Sequence, residues 1–369
     1  TNLGDGRAII LGEHITPNND QFDIQYKGSG QTPYSRGADG RAALGPMLRE
    51  YIISESMHGL GIPTTRSLAV VKSGEYVFRE SPLPGAILTR VAKSHIRVGT
   101  FQYLAAKGDT ETLTDLVNYS IKRHYPHYKN EDNLPLTLLK AVMMQQINLI
   151  VHWMRVGFVH GVMNTDNMTI SGESIDYGPC AFMDQYDEKT CFSSIDLQGR
   201  YAFANQPGIA QWNLARFAET LIPVIDKDEK KSIEIAEKSI NSFKKIYEEK
   251  WIEMMKAKLG IFGKEDKDAF LILNLLNWMQ TNQADYTNTF CYLMKQKIGN
   301  IEIYEDGNFL NWKGEWEERL KRSQKTEDEI INMMRSVNPI IIPRNHKVEE
   351  ILKDAETKDD YSKLEKLLK

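Results

Sequence analysis

Leu134–Val156 constrains the fold more than any other part of this chain. Its apolar residues fall on nearly all faces of a helix rather than along one stripe. A helix of that kind belongs at the centre of a larger core, with other elements packed around it. The chain before it is patterned differently. Runs at 7–11, 23–26, 67–71, 76–79 and 86–91 are short and β-capable. The runs 67–71 and 76–79 flank Lys72-Ser73-Gly74-Glu75, which reads as a hairpin-type loop. One helix is expected among these strands, at 42–60, stopped by Gly61 and Pro63. Helical periodicity then dominates, at 109–124, 213–224, 229–258, 267–280 and 285–297, with a charged amphipathic end at 348–369. The expected class is α+β, with a small β-rich N-lobe over residues 1–98 and a large helical C-lobe over 99–369. Ligands favour the cleft between two such units.

Charge and composition exclude several function classes. The chain of 369 residues has 46 basic and 50 acidic side chains, for a net charge of -4. A nucleic-acid partner would call for a basic excess, so none is expected. No uninterrupted apolar run approaches the ~20 residues that span a bilayer, so no membrane partner is expected either. Cys180, Cys191 and Cys291 are few, odd in number and fit no zinc spacing. Free thiols in a reducing compartment are the expectation. The chain opens on Thr1 without a signal-peptide pattern, and residues upstream of it are expected. The compartment expected is the bacterial cytoplasm, or the mitochondrion for a eukaryotic source.

Four groups of residues carry chemistry. Gly4 and Gly6, in Leu3-Gly4-Asp5-Gly6-Arg7, precede a strand and would let backbone approach a phosphate; a plain turn explains them as well. Lys27 ends a patterned strand, and Glu50 follows 23 residues later in mid-helix. A lysine on a strand paired with a glutamate on the next helix is the protein-kinase arrangement, although either could be a surface charge. Arg90 and Arg97 lie at and beyond the end of an apolar strand and could fork onto phosphate or simply face water. The strongest signal is the stretch 157–178, dense in Gly, Asn, Asp and Thr. It holds His160, then Asn167 seven residues later, then Asp176-Tyr177-Gly178. In kinases that spacing marks the catalytic loop and the metal-binding D-F-G. Asn167 and Asp176 would offer a hard divalent cation its oxygen ligands; an Asx-rich structural turn is the plainer reading. The position of the kinase catalytic aspartate is Val162, which cannot accept a proton. Asp166 is the only carboxylate left in the loop between His160 and Asn167.

These residues stand inside longer similar stretches. LGDGRA, YKGSGQTPYSR, ADGRA, GIPTTRSL, HGVMNTDNM, IDYGP and GRYAF occur in that order, with a looser match beyond Leu214 until NPIIIPRNHKVEE at 338–350. The chain closely resembles the selenoprotein O family (SelO, called YdiU in bacteria). The resemblance implies a protein-kinase-like two-lobed pseudokinase that binds ATP in a flipped orientation. It implies transfer of AMP to Ser, Thr or Tyr of proteins, with Mg²⁺ or Mn²⁺. Gly4, Gly6, Arg7, Asp39 and Gly40 would line the nucleotide. Lys27, oriented by Glu50, would contact phosphate, with Arg90 and Arg97 deeper in the cleft. Asn167 and Asp176 would ligate the metal, and Asp166 would accept the hydroxyl proton. No cysteine follows Cys291, so a redox link from Cys191 to the tail is not expected. A phosphotransferase using Asp166 as a relocated base and a non-catalytic nucleotide-binding scaffold are the competing readings.

Overall fold

The computed structural model describes residues 6–368. The strand-rich start is a single antiparallel sheet. Its strands are β1 (Ala8–Ile15), β2 (Gln21–Lys27), β3 (Ala42–Ala43), β4 (Arg66–Phe78) and β5 (Pro82–Ala92). The long β5 is central: β4 runs along one edge, while β2 and β3 share the other. Position 27 therefore pairs with Leu88, two residues from Arg90, so one short stretch of sheet carries both cations.

The expected hairpin at 72–75 is not there. Both flanking runs belong to the one strand β4, and both pair with β5. Lys72 faces Ala86 and Tyr76 faces Pro84, so β4 carries extra residues over this stretch, a bulge centred on Gly74 at φ 79°. A bulge and a tight turn draw on the same residue types, which is why the segment misleads.

Helix α1 (Leu44–Gly59) lies against the sheet and buries Met47, Leu48, Ile52, Ile53 and Met57. The remainder is mostly helical: α2 (Val98–Ala105), α3 (Thr110–His124), α4 (Leu134–Val156), α5 (Gln206–Ile225), α6 (Glu229–Asn241), α7 (Phe243–Lys258), α8 (Asp268–Thr281), α9 (Tyr286–Leu293), α10 (Gly307–Arg322), α11 (Glu327–Val337), α12 (Asn345–Lys358) and α13 (Ser362–Leu368). A two-stranded ribbon, β6 (Phe158–Val159) with β7 (Ala181–Phe182), frames the loop between α4 and α5. The helix expected over 229–258 is two. The break falls at Ser242, whose hydroxyl bonds the Ser239 carbonyl at 2.6 Å and so competes with the helical ladder. The short α2 and the pair α10 and α11 were not expected.

Helix α4 is the centre of the helical part, packed against α3, α5 and α7. Asn133 caps its start by accepting from Leu136 N at 3.1 Å. Gly157 stops it in the left-handed region, φ 72°. Contrary to the expectation, this helix is long and apolar enough to cross a bilayer by length and composition; 56% of that apolar stretch is nevertheless inside the fold. One continuous apolar core extends from α1 and β5 through α4 to α10 and α12. Fully buried members such as Phe101 and Leu139 each contribute about 1.5–3 kcal/mol relative to exposure.

Candidate active site

Four charged side chains meet beneath the sheet. Lys27, from the end of β2, places Nζ 2.6 Å from Glu50 Oε2 on α1 and also pairs with Asp176. Arg90, from β5, donates Nε to Glu50 Oε1 at 2.8 Å and Nη1 to Gln25 Oε1 at 2.9 Å. Its Nη2 lies 3.5 Å from Asp176 Oδ1. The Glu50 carboxylate thus binds both cations, one per oxygen. Lys27, Glu50 and Arg90 are buried, whereas the Asp176 side chain keeps 34% of its surface open. Burial would raise the Glu50 carboxyl, but Arg90 and Lys27 outweigh it and hold the group ionised below its ordinary value. The same opposition holds Asp176 well below the carboxylate range: burial raises it, while Lys27, Arg90 and Arg7 pull it down. Unpaired, such charges could not be buried.

The loop from His160 to Gly178 is held from below by polar side chains. His160 is buried and stacks on Trp153 at 5.2 Å. Its Nε2 donates to the Ile175 carbonyl at 2.8 Å, and burial keeps the ring neutral. The histidine therefore joins the two halves of the loop rather than reaching the cleft. Asn167 donates Nδ2 to the Val162 carbonyl at 3.0 Å, which fixes its amide plane. Asp176 has φ 67°, an uncommon conformation for a residue other than glycine. Tyr177, where a kinase has phenylalanine, is buried and its hydroxyl bonds Thr64.

The supports of this loop are not among the residues that the sequence singles out. Gln206 Nε2 donates to Phe158 O at 2.9 Å while its Oε1 accepts from His160 N at 3.0 Å. Asn213 Nδ2 donates to Met163 O at 2.9 Å. Both are buried on the face of α5 that carries Ala210, Leu214 and Phe217. Two amides seven residues apart on an apolar helix face are the signal that could have found them.

Asp166 opens on a cleft of about 420 Å³ that is also lined by Gly6, Arg7, Asp39, Gly40 and Asn164. A second cavity of about 480 Å³ lies between α1, Gly178 and α12, and Arg7 borders both. Asp39 is gripped by Arg79, whose Nη1 and Nη2 lie 2.9 and 3.1 Å from its oxygens. That grip lowers its pKa to about 2. Gly40, at φ 65°, packs on the backbone of Gly30 so closely that a side chain would not fit. Arg97 is buried at the start of α2, where its backbone bridges to Thr169 within the loop. Thus Lys27, Glu50, Arg90 and Asp176 form one cluster, and Gly6, Arg7, Asp39, Gly40 and Asp166 form the cleft wall. Gly4 lies outside the described residues.

A family model described as protein adenylyltransferase SelO matches residues 1–369. The chain belongs to that family. It is 57% identical over 371 residues to the protein nucleotidyltransferase YdiU of Pelagibacter ubique, covering 100% of this chain and 77% of the relative. The corresponding figures for the protein of the same name from Nitrosococcus oceani are 57% over 368 residues, 100% and 75%. For the one from Bacillus cereus strain ATCC 14579 they are 58% over 366 residues, 99% and 75%. As a SelO-family member the chain is an enzyme, a nucleotidyltransferase. The family match extends to the C-terminal helices, although the resemblance read from sequence loosened after Leu214.

Proposed function

We propose that this chain transfers AMP from ATP to serine, threonine or tyrosine hydroxyls of proteins, with the nucleotide reversed relative to a protein kinase. On this reading residues 1–98 and 99–369 are the two lobes of a kinase-like fold and ATP lies between them. The observation that carries it is the pairing of an intact Lys27–Glu50–Asp176 constellation with a loop that has Val162 where phosphorylation needs a base. The relatives' name, protein nucleotidyltransferase, supports the same choice of reaction.

The chemistry follows from charge. The substrate hydroxyl oxygen bonds to the α-phosphorus, the bond from that phosphorus to the bridging oxygen breaks, and pyrophosphate leaves with the electron pair. The hydroxyl proton passes to the Asp166 carboxylate, which lines the cleft. Lys27 and Arg90, oriented by Glu50, neutralise negative charge on the triphosphate, with Arg7 and Arg97 assisting. The residues fit a divalent cation. Among the described residues, no hydrogen bond engages Asn167 Oδ1 or Asp176 Oδ2, and both are oxygen donors. No cluster of three or more ligating His, Cys, Asp or Glu side chains occurs among the described residues, so such an ion would draw its other ligands from phosphate and water. When bound, Mg²⁺ or Mn²⁺ would supply further charge stabilisation at the phosphates.

The test uses ATP labelled at either end. Label from the α-phosphate should enter protein with the wild type and not with Asp176→Ala, while label from the γ-phosphate should not enter at all. Transfer from the γ position alone would overturn the reading in favour of a phosphotransferase. No transfer from either position would favour a scaffold.

A further inference from the structure

Helix α1 carries Glu50 but does not cap itself. Its N-cap residue is Ala43, without a side-chain bond, and its first turn holds no acidic residue. The carboxylate comes from the far end of the chain: Glu356 on α12 accepts from Gly45 N at 2.9 Å. Gly45 leaves the space, since a Cβ there would overlap the Glu356 carboxylate. One turn further along α1, Arg49 donates Nη1 to Asn345 Oδ1 at 3.2 Å and to the Cys180 carbonyl at 3.4 Å, and it pairs with Glu349. Asn345 and Glu349 both belong to α12, and Cys180 closely follows Asp176-Tyr177-Gly178. Arg49 therefore ties the helix of Glu50 both to α12 and to the loop of Asp176.

The base of α12 is fixed independently. Arg344 lies 2.7 Å from Asp285 Oδ2 and also pairs with Asp184, in the segment after the Asp176 loop. Val348, Ile351, Leu352 and Ala355 are buried along its length. Lys72 of β4 reaches Asp359 Oδ1 at 2.8 Å just beyond the helix. An element rooted in the helical part thus touches α1 at its N-terminus and its flank, beside Glu50, which binds both buried cations.

We propose that α12 acts in cis as the strut that positions Glu50, with Glu356 and Arg49 as positioning residues. The inference rests on the role proposed above for Glu50. Its chemistry is local. A capping carboxylate favours the first turn of a helix and complements its dipole. Arg49 fixes the rotation of the helix about its axis. Together they set where Glu50 presents its two oxygens to Lys27 and Arg90.

The experiment is a double-mutant cycle on the full chain, read as kcat and KM for ATP. Glu356→Ala should lower kcat about tenfold with KM changed less than about twofold, because a small misplacement of a catalytic constellation costs turnover first. Glu356→Gln, which keeps the acceptor oxygen, should recover most of the loss. Added to Glu50→Gln, Glu356→Ala should cost less than about a further twofold, since residues acting through one group are not additive. If Glu356→Ala does not fold, the cycle is run with Arg49→Ala. Losses that multiply in the double variant, or full activity of Glu356→Ala and Arg49→Ala, overturn the strut while leaving the role of Glu50 intact. Full activity of Glu50→Gln alone overturns that role and the strut with it.

Discussion

At the scale of single residues, the site is a set of carboxylates given different work by their surroundings. Glu50 is sealed in and spends both oxygens on cations. Asp176 shares those cations but stays partly exposed. Asp166 stands apart from them, packed against Gly99 in the first turn of α2. A Cβ at position 99 would overlap the Asp166 carboxylate. Gly99→Ala should therefore push that side chain out of place. The same change should stabilise α2 by up to about 1 kcal/mol, because alanine is the better helix former. The expected outcome is turnover reduced by about 10–100-fold, within the contribution of a proton acceptor, at an unchanged or higher melting temperature. Parallel measurement of kcat and thermal unfolding checks it; undiminished turnover would remove Asp166 from the reaction.

At the scale of elements, legibility followed the range of the interaction. Helix α4 is legible in the sequence because the apolarity that marks it is a local property. The spacing of Lys27 and Glu50 was also readable, since a strand and the next helix are consecutive. The bulge in β4 was not, because the choice between a turn and a bulge is made by the partner strand β5. Nor was the cap that Glu356 gives α1 across 311 positions, for which no local pattern exists. The loop 28–41 is a further case. Its cleft residues Asp39 and Gly40 are held by Arg79, near the turn between β4 and β5, which also donates Nη2 to the Arg41 carbonyl at 3.0 Å. Arg79 is thus the strap of this cleft-lining loop. Arg79→Ala should raise KM for ATP about three- to tenfold with little change in kcat, the signature of lost ground-state binding. Isotherms for ATP binding to the two proteins would measure it directly. Equal affinities would exclude Asp39 and Gly40 from the nucleotide.

Across the whole molecule, buried carboxylates bend stability with pH in opposite directions. Glu50, Asp176 and Asp23 have folded pKa values below their ordinary ones, the last because His95 and Arg123 overcome its burial. Their contribution is present above the unfolded pKa and is lost as pH falls through the folded value. Glu173 works the other way. It is 6% exposed, beside the segment that joins β5 to α2, and accepts from Lys93 N at 2.9 Å and Ser171 Oγ at 3.1 Å. Burial raises its pKa from 4.5 to about 7 despite nearby Lys93. Between those values the folded state holds a proton that the unfolded state has released, so stability falls as pH rises through that window. A rise from 4.5 to about 7 corresponds to about 3 kcal/mol across the window, at about 1.36 kcal/mol per pH unit. Glutamine reproduces the protonated acid, with an oxygen to accept from Lys93 N and an amide in place of the O–H. Glu173→Gln should therefore match the wild type at pH 5 and exceed it by about 2 kcal/mol at pH 8. Urea unfolding of both proteins from pH 5 to pH 8 reads the difference. Parallel curves over that range would mean that Glu173 is ionised in the fold.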